Sequence, residues 1–134
     1  MNRYLLDTSS LLALRDDEAG ADQVADLLYR AQRGEVVCLA CFMTLTELFY
    51  RIWRDEGEAS GRLAYEQSCA LPIQWVHEDQ PLLEKAAELK ATHAISLTDA
   101  WIAAAAIQQD AQLVHKDPEL IGVPCRQLPL PHKN

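Results

Sequence analysis

Four carboxylates stand at matching places along this 134-residue chain. Asp7 directly follows the short apolar run Arg3–Leu6. Glu47 falls in the first turn of a helix predicted after the apolar strand Glu35–Leu39. Asp99 falls in the first turn of a helix predicted over Ser96–Gln109, and Asp117 follows the strand predicted over Gln112–His115. If these runs are parallel strands, their ends of one polarity share an edge, and ligands of open α/β sheets bind in the crevice there. Side chains separated by 40, 52 and 18 positions then meet on one rim. Two carboxylates about 5 Å apart repel by roughly 3 kcal/mol at an effective dielectric near 20. Such a rim must take up protons or hold a cation. Carboxylate oxygens without a histidine or thiolate partner favour Mg²⁺ or Mn²⁺ over zinc. Those ions polarise phosphoryl oxygens and activate water, so phosphodiester hydrolysis is the chemistry they suit.

Each acid also has a purely structural explanation. Thr44-x-x-Glu47 and Ser96-x-x-Asp99 both fit the capping box, in which the acid satisfies a free backbone N–H. Asp7 and Asp117 are suitable N-caps, the latter directly before Pro118. Capping accounts for one acid at a time and not for four at equivalent strand ends. Asp79 and the serines show that the chain has other caps available.

The elements that must position these acids follow from the pattern of apolar residues. A short helix is predicted over Ser9–Leu14. Ala21, Val24, Ala25, Leu28 and Ala31 then give the spacing of an amphipathic helix, closed by Gly34. Helices over Thr44–Glu56 and Ala59–Ala70 form a helical hairpin, at about 44–70. Pro72 breaks it, and Ile73–Val76 is a strand. Asp79-Gln80-Pro81 opens a helix to about Ala91. The helix carrying Asp99 is apolar on every side over Ala100–Ile107, which implies burial. A helical turn at Asp117–Leu120, a last strand near Arg126–Leu128 and an extended tail at about 129–134 complete the chain. Strands alternating with helices imply one α/β domain over 1–134, a parallel sheet covered on both faces.

Composition narrows the function. Hydrophobic residues make up 49% and charged residues 24%, the balance of an ordinary globular domain. The longest apolar runs, Val36–Met43 and Ala100–Ile107, are eight residues each, too short for the roughly 20 of a membrane-spanning helix. A carboxylate at position 7 interrupts any secretion signal, so a cytoplasmic protein is expected. A net charge of −8 argues against coating nucleic acid through bulk positive charge. Without secretion, Cys38, Cys41, Cys69 and Cys125 are expected to be reduced and mostly buried. Cys38-x-x-Cys41 has no second thiol pair at ligand spacing, and packing is its default role. His77, His93, His115 and His132 form no local pair, which weakens metal-free acid–base cleavage of RNA. No glycine-rich phosphate loop or zincin motif is present.

Tyr4-Leu5-Leu6-Asp7-Thr8-Ser9, Leu45-Thr46-Glu47-Leu48, Leu97-Thr98-Asp99-Ala100-Trp101 and Leu113-Val114-His115-Lys116-Asp117-Pro118 resemble the PIN-domain nucleases. In length and spacing the whole chain resembles their VapC-type toxins. The resemblance implies a PIN-like three-layer sandwich, with a five-stranded parallel sheet flanked by helices. It implies a Mg²⁺- or Mn²⁺-dependent endoribonuclease whose metal is held by Asp7, Glu47, Asp99 and Asp117, with Ser9 supporting the metal shell. It further implies a small antitoxin that covers the acidic site. Many family members have Ser or Thr where this chain has His115, which leaves three roles open: holding a metal water, contacting phosphate, or pointing outward. Lys116 is the candidate phosphate contact, within a rim that also includes Arg15, Arg51, Arg54 and Lys90. Phe49, Tyr50, Trp53 and Tyr65 on the helical hairpin offer a surface for a homodimer or an antitoxin helix, core packing being the alternative. A housekeeping RNA-processing nuclease and a catalytically silent binding module of the same fold stand beside the toxin.

Overall fold

The computed structural model describes residues 1–132. Its elements run β1 (Arg3–Leu6), α1 (Thr8–Arg15), α2 (Ala21–Gln32), β2 (Val37–Cys41), α3 (Phe42–Glu56) and α4 (Glu58–Cys69). They continue with β3 (Gln74–Val76), α5 (Gln80–Thr92), α6 (Leu97–Gln108), β4 (Gln112–His115), a 3₁₀ turn (Pro118–Leu120) and β5 (Gln127–Pro129). All five strands are parallel, in the order β3-β2-β1-β4-β5. Arg3 pairs with Val37, Tyr4 with Gln112, Leu39 with Gln74 and Leu113 with Gln127.

Alternation along the strands feeds two cores. Leu5, Leu39 and Leu113 join Leu82, Leu89 and Ile102 beneath α5 and α6. Tyr4, Leu6 and Val114 join Leu11, Val24, Leu48 and Ala64 beneath α1 to α4. The sheet is therefore the middle of three layers, as parallel sheets require. Ala103 to Ala106 of α6 are all buried, which explains why that helix is apolar all round. No helix among the described residues is long and apolar enough to cross a membrane.

One glycine sets the spacing of α3 and α4. A Cβ added at Gly61 would stand 2.9 Å from the Phe49 carbonyl oxygen and 3.1 Å from Trp53 Cβ. Gly61→Val is expected to force the two helices apart and destabilise the protein by about 1–3 kcal/mol. A urea midpoint equal to wild type would contradict that close approach. Phe49 stacks on Tyr65 at 5.4 Å within the same pair of helices, while Tyr50 and Trp53 remain exposed.

Several expectations shift in detail. The β2 strand spans Val37–Cys41 rather than Glu35–Leu39, and α3 begins at Phe42 rather than Thr44. Cys41 is therefore the N-cap, with no side-chain cap bond, and the Thr44-x-x-Glu47 capping box does not form. Glu47 sits in the second turn of α3. Cys38 and Cys41 are buried on opposite faces of β2, one in each core, so they cannot share a ligand. Burial pushes both thiols up to about 11. All four cysteines are free, but only these two are buried; Cys69 is exposed and Cys125 half-buried. Of the expected tail, Pro129 closes β5 and Leu130 is buried, its N–H donating to the His115 carbonyl at 2.8 Å. Lys133 and Asn134 lie outside the described residues.

Candidate functional site

The strand order reverses between β1 and β4: the chain steps from β1 outward to β2 and β3, whereas β4 and β5 lie on the other side of β1. A reversal of this kind opens a crevice at the carboxyl ends of the strands. Asp7 stands in it, one residue past β1, and its N–H donates to the Val114 carbonyl at 3.1 Å. Its carboxylate caps α1: Oδ1 accepts the Ser10 N–H at 2.9 Å, and the Ser9 hydroxyl donates at 2.7 Å. The Ser10 hydroxyl lies 3.0 Å from the same oxygen and also against the Val114 carbonyl. Ser9 Oγ in turn accepts the Lys116 N–H at 3.0 Å, which ties α1 to the segment leaving β4. Despite these donors, burial dominates and pushes the Asp7 carboxyl up to about 6.

Asp99 approaches from the first turn of α6, where Ser96 is the N-cap and accepts the Asp99 N–H at 3.1 Å. The serine makes the cap, and the Asp99 carboxyl faces other acids. Burial, a hydrogen bond with Asp117, and the charges of Asp117, Asp7 and Glu47 together push it up to about 7. A single carboxyl thus reports all three of the other predicted acids as electrostatic neighbours. Asp117 reaches the rim two residues past β4. Its Oδ1 accepts the Glu119 N–H at 2.9 Å, so it caps the 3₁₀ turn with one oxygen while lying beside Asp99. Capping and clustering are compatible for Asp7 and Asp117, because each carboxylate has lone pairs beyond the one the cap uses.

The structure adds a fifth acid. Carboxylate oxygens of Asp99, Asp117 and Glu119 lie within 4.8 Å of one another. Glu119 was not among the sequence candidates. Its only signal is the Asp-Pro-Glu spacing, in which a proline turn brings positions two apart to one side.

The basic candidates are placed differently from the acids. Lys116 Nζ reaches back and donates to the Ala19 carbonyl at 2.8 Å. Arg15 makes paired bonds of 2.8 and 2.9 Å to Glu56, Arg54 lies 3.5 Å from Asp55, and Lys90 donates to the Ile95 carbonyl. The expected positive rim is therefore largely engaged within the chain. Arg15, Arg51 and Lys116 do line a groove that opens beside Ser9. His115 does not point outward. It is 1% exposed, and both ring nitrogens have partners inside the protein.

The model of the PIN domain matches residues 4–124. The chain belongs to the PIN domain family. No curated protein matches the sequence significantly. Among solved structures, this PIN domain is similar to VapBC2 from Rickettsia felis bound to a DNA fragment from its promoter. The TM-score is 0.77 at 17% identity, over 96% of this chain and 99% of that one. It is similar to VapBC-5 of Mycobacterium tuberculosis, a member of the VapBC family of toxin–antitoxin systems (TM-score 0.65, 16% identity, 96% and 97% covered). It also resembles VapC20 of the same organism, a sarcin–ricin loop cleaving toxin (TM-score 0.64, 20% identity, 81% and 85% covered). At these identities the likeness concerns the fold.

Proposed function

We propose that this PIN domain is a Mg²⁺- or Mn²⁺-dependent endoribonuclease, the toxin of a toxin–antitoxin pair acting in the cytoplasm. The observation that supports this reading is the cluster of Asp99, Asp117 and Glu119, whose carboxylate oxygens lie within 4.8 Å of one another at the switch-point edge, with the charges of Asp7 and Glu47 acting on the Asp99 carboxyl.

The donor set fits a divalent cation. It consists of carboxylate oxygens, the ligands that Mg²⁺ and Mn²⁺ prefer. Burial pushes Asp7 up to about 6, and burial together with the neighbouring carboxylates of Asp117, Asp7 and Glu47 pushes Asp99 up to about 7. Asp7, Asp99 and Asp117 would hold the ion, with Glu47 and Glu119 completing the acidic shell. When bound, such an ion polarises a phosphoryl oxygen and activates water toward phosphorus. The chain supplies the rest. Ser9 fixes the Asp7 carboxylate and ties it to the Lys116 peptide. Asp7 and Asp99 give up protons to become ligands. The groove beside Ser9 is lined by Arg15, Arg51 and Lys116 and also by Asp16, Glu18, Asp55 and Glu56. With Arg15 and Lys116 bonded within the chain, Arg51 is the donor it offers to an RNA backbone.

The toxin assignment is supported by the likeness to VapBC proteins, including one that cleaves the sarcin–ricin loop. A cognate antitoxin would carry a basic segment, with an arginine paired to the rim carboxylates in competition with metal. Exposed Tyr50 and Trp53 on α3 offer apolar surface for that partner or for a homodimer.

The test is digestion of RNA by the purified protein with Mn²⁺, with EDTA, and with Mn²⁺ restored. Cleavage should need the metal and leave 5′-phosphate and 3′-hydroxyl ends. Cleavage that persists in EDTA and leaves cyclic phosphate would overturn the metal reading and favour attack by the 2′-hydroxyl. No cleavage of any RNA would favour a binding module.

A further inference from the structure

His115 ends the buried strand that leads to Asp117, and its surroundings define a directed relay. Nδ1 accepts the Asp117 N–H at 3.0 Å. A nitrogen that accepts carries no proton, so Nε2 carries it and donates to Gln127 Oε1 at 2.9 Å. With Oε1 committed, the Gln127 amide nitrogen turns to the carbonyls of Leu120 (2.7 Å) and Val123 (3.1 Å). Carbonyls only accept, so the amide orientation is fixed as well. Each link has one direction: Asp117 to His115, His115 to Gln127, and Gln127 to Leu120 at the end of the 3₁₀ turn and to Val123 beyond it. An imidazole engaged in this way has no lone pair left for a metal ion, and its burial keeps it from phosphate.

The relay begins at the peptide from which the Asp117 side chain hangs. Asp117 then holds the Glu119 N–H, and Leu120, fully buried, anchors the end of the turn. Two acids of the rim therefore depend on one buried clasp between β4 and β5. We propose that His115 and Gln127 are positioning residues that hold Asp117 and Glu119 at the rim, so that the cation site is formed before the ion arrives. This rests on the metal-dependent reading above. Partners that orient metal ligands from outside commonly change metal affinity by about 10–100-fold.

The experiment measures Mn²⁺ binding to the full chain by the loss of its free paramagnetic resonance signal, without RNA, for wild type, Gln127→Leu, His115→Leu and His115→Asn. Melting curves in EDTA identify which variants are folded. Asn at 115 can accept the Asp117 N–H two residues on, as in an Asx turn, but is too short to reach Gln127. Gln127→Leu and His115→Leu should weaken Mn²⁺ binding about tenfold. His115→Asn, which restores the Asp117 contact but not the one to Gln127, should bind Mn²⁺ more tightly than His115→Leu and less tightly than wild type, and kcat at saturating Mn²⁺ should stay near wild type. Folded variants that bind Mn²⁺ as wild type does, or an Asn variant no better than Leu, would overturn the proposal. If His115→Leu does not fold, Gln127→Leu decides on its own. Wild type that takes up no Mn²⁺ would overturn the metal reading itself. Failure of the relay is distinguishable from that result, because wild type then still takes up Mn²⁺; ring ¹⁵N spectra of wild type with the proton on Nδ1 rather than Nε2 would overturn the relay independently of metal.

Discussion

Asp7→Asn is expected to abolish RNA cleavage while making the metal-free protein more stable. Loss of a ligand charge should cost more than the roughly 10–100-fold that an outer partner of a metal costs, so activity should fall at least about 100-fold. Stability moves the other way because the Asp7 carboxyl is raised from 3.8 to about 6, chiefly by burial. The native state therefore binds this proton more tightly than the unfolded chain does. Stability from this group is full below 3.8 and is lost as pH rises through 6. The penalty on the charged form reaches roughly 3 kcal/mol at most. Asparagine keeps an oxygen for the Ser10 N–H and removes the charge. Urea unfolding in EDTA should show the variant more stable by up to about 3 kcal/mol near pH 8 and near parity around pH 4. A variant less stable than wild type at pH 8 would show that the buried charge carries no penalty.

The second large effect is stabilisation by metal, and it should depend on pH. Saturating Mn²⁺ at about 100 times its dissociation constant should add roughly 2.7 kcal/mol near pH 8. Below the values of about 6 and about 7 held by Asp7 and Asp99, protons occupy the ligands and the gain should shrink toward zero. Binding at pH 6.5 should release protons, visible as a buffer-dependent heat in titration calorimetry. An equal shift in Tm at pH 5 and pH 8 would contradict a site built on these two groups.

How much of this was legible depends on how the sequence is punctuated. The helix carrying Asp99 was predicted within a residue at each end, because Ser96 is a strong cap and the alanine run is unambiguous. Asp7 and Asp117 could be placed at strand ends because each directly ends or closely follows an apolar run. The β2–α3 junction was displaced by two residues because Val36–Met43 is apolar without a glycine, proline or charge to mark its turn. Pairing of Leu39 with Leu5 and of Cys41 with Val76 decides where that strand stops. The shift moves Glu47 from the first turn of α3 to the second, yet leaves it near Asp99. His115 was undecidable from local sequence, since its orientation is set by Gln127, twelve residues on and one strand away. Lys116 looked free for phosphate because the Ala19 carbonyl that holds it comes from a loop 97 positions earlier.

The most direct measurement is anomalous scattering from crystals of the metal-free protein soaked in Mn²⁺. A peak about 2.1 Å from carboxylate oxygens of Asp7, Asp99 and Asp117 is the predicted result. A well-ordered rim without a peak, or a peak elsewhere on the molecule, would contradict a divalent-cation site at the switch point of the sheet.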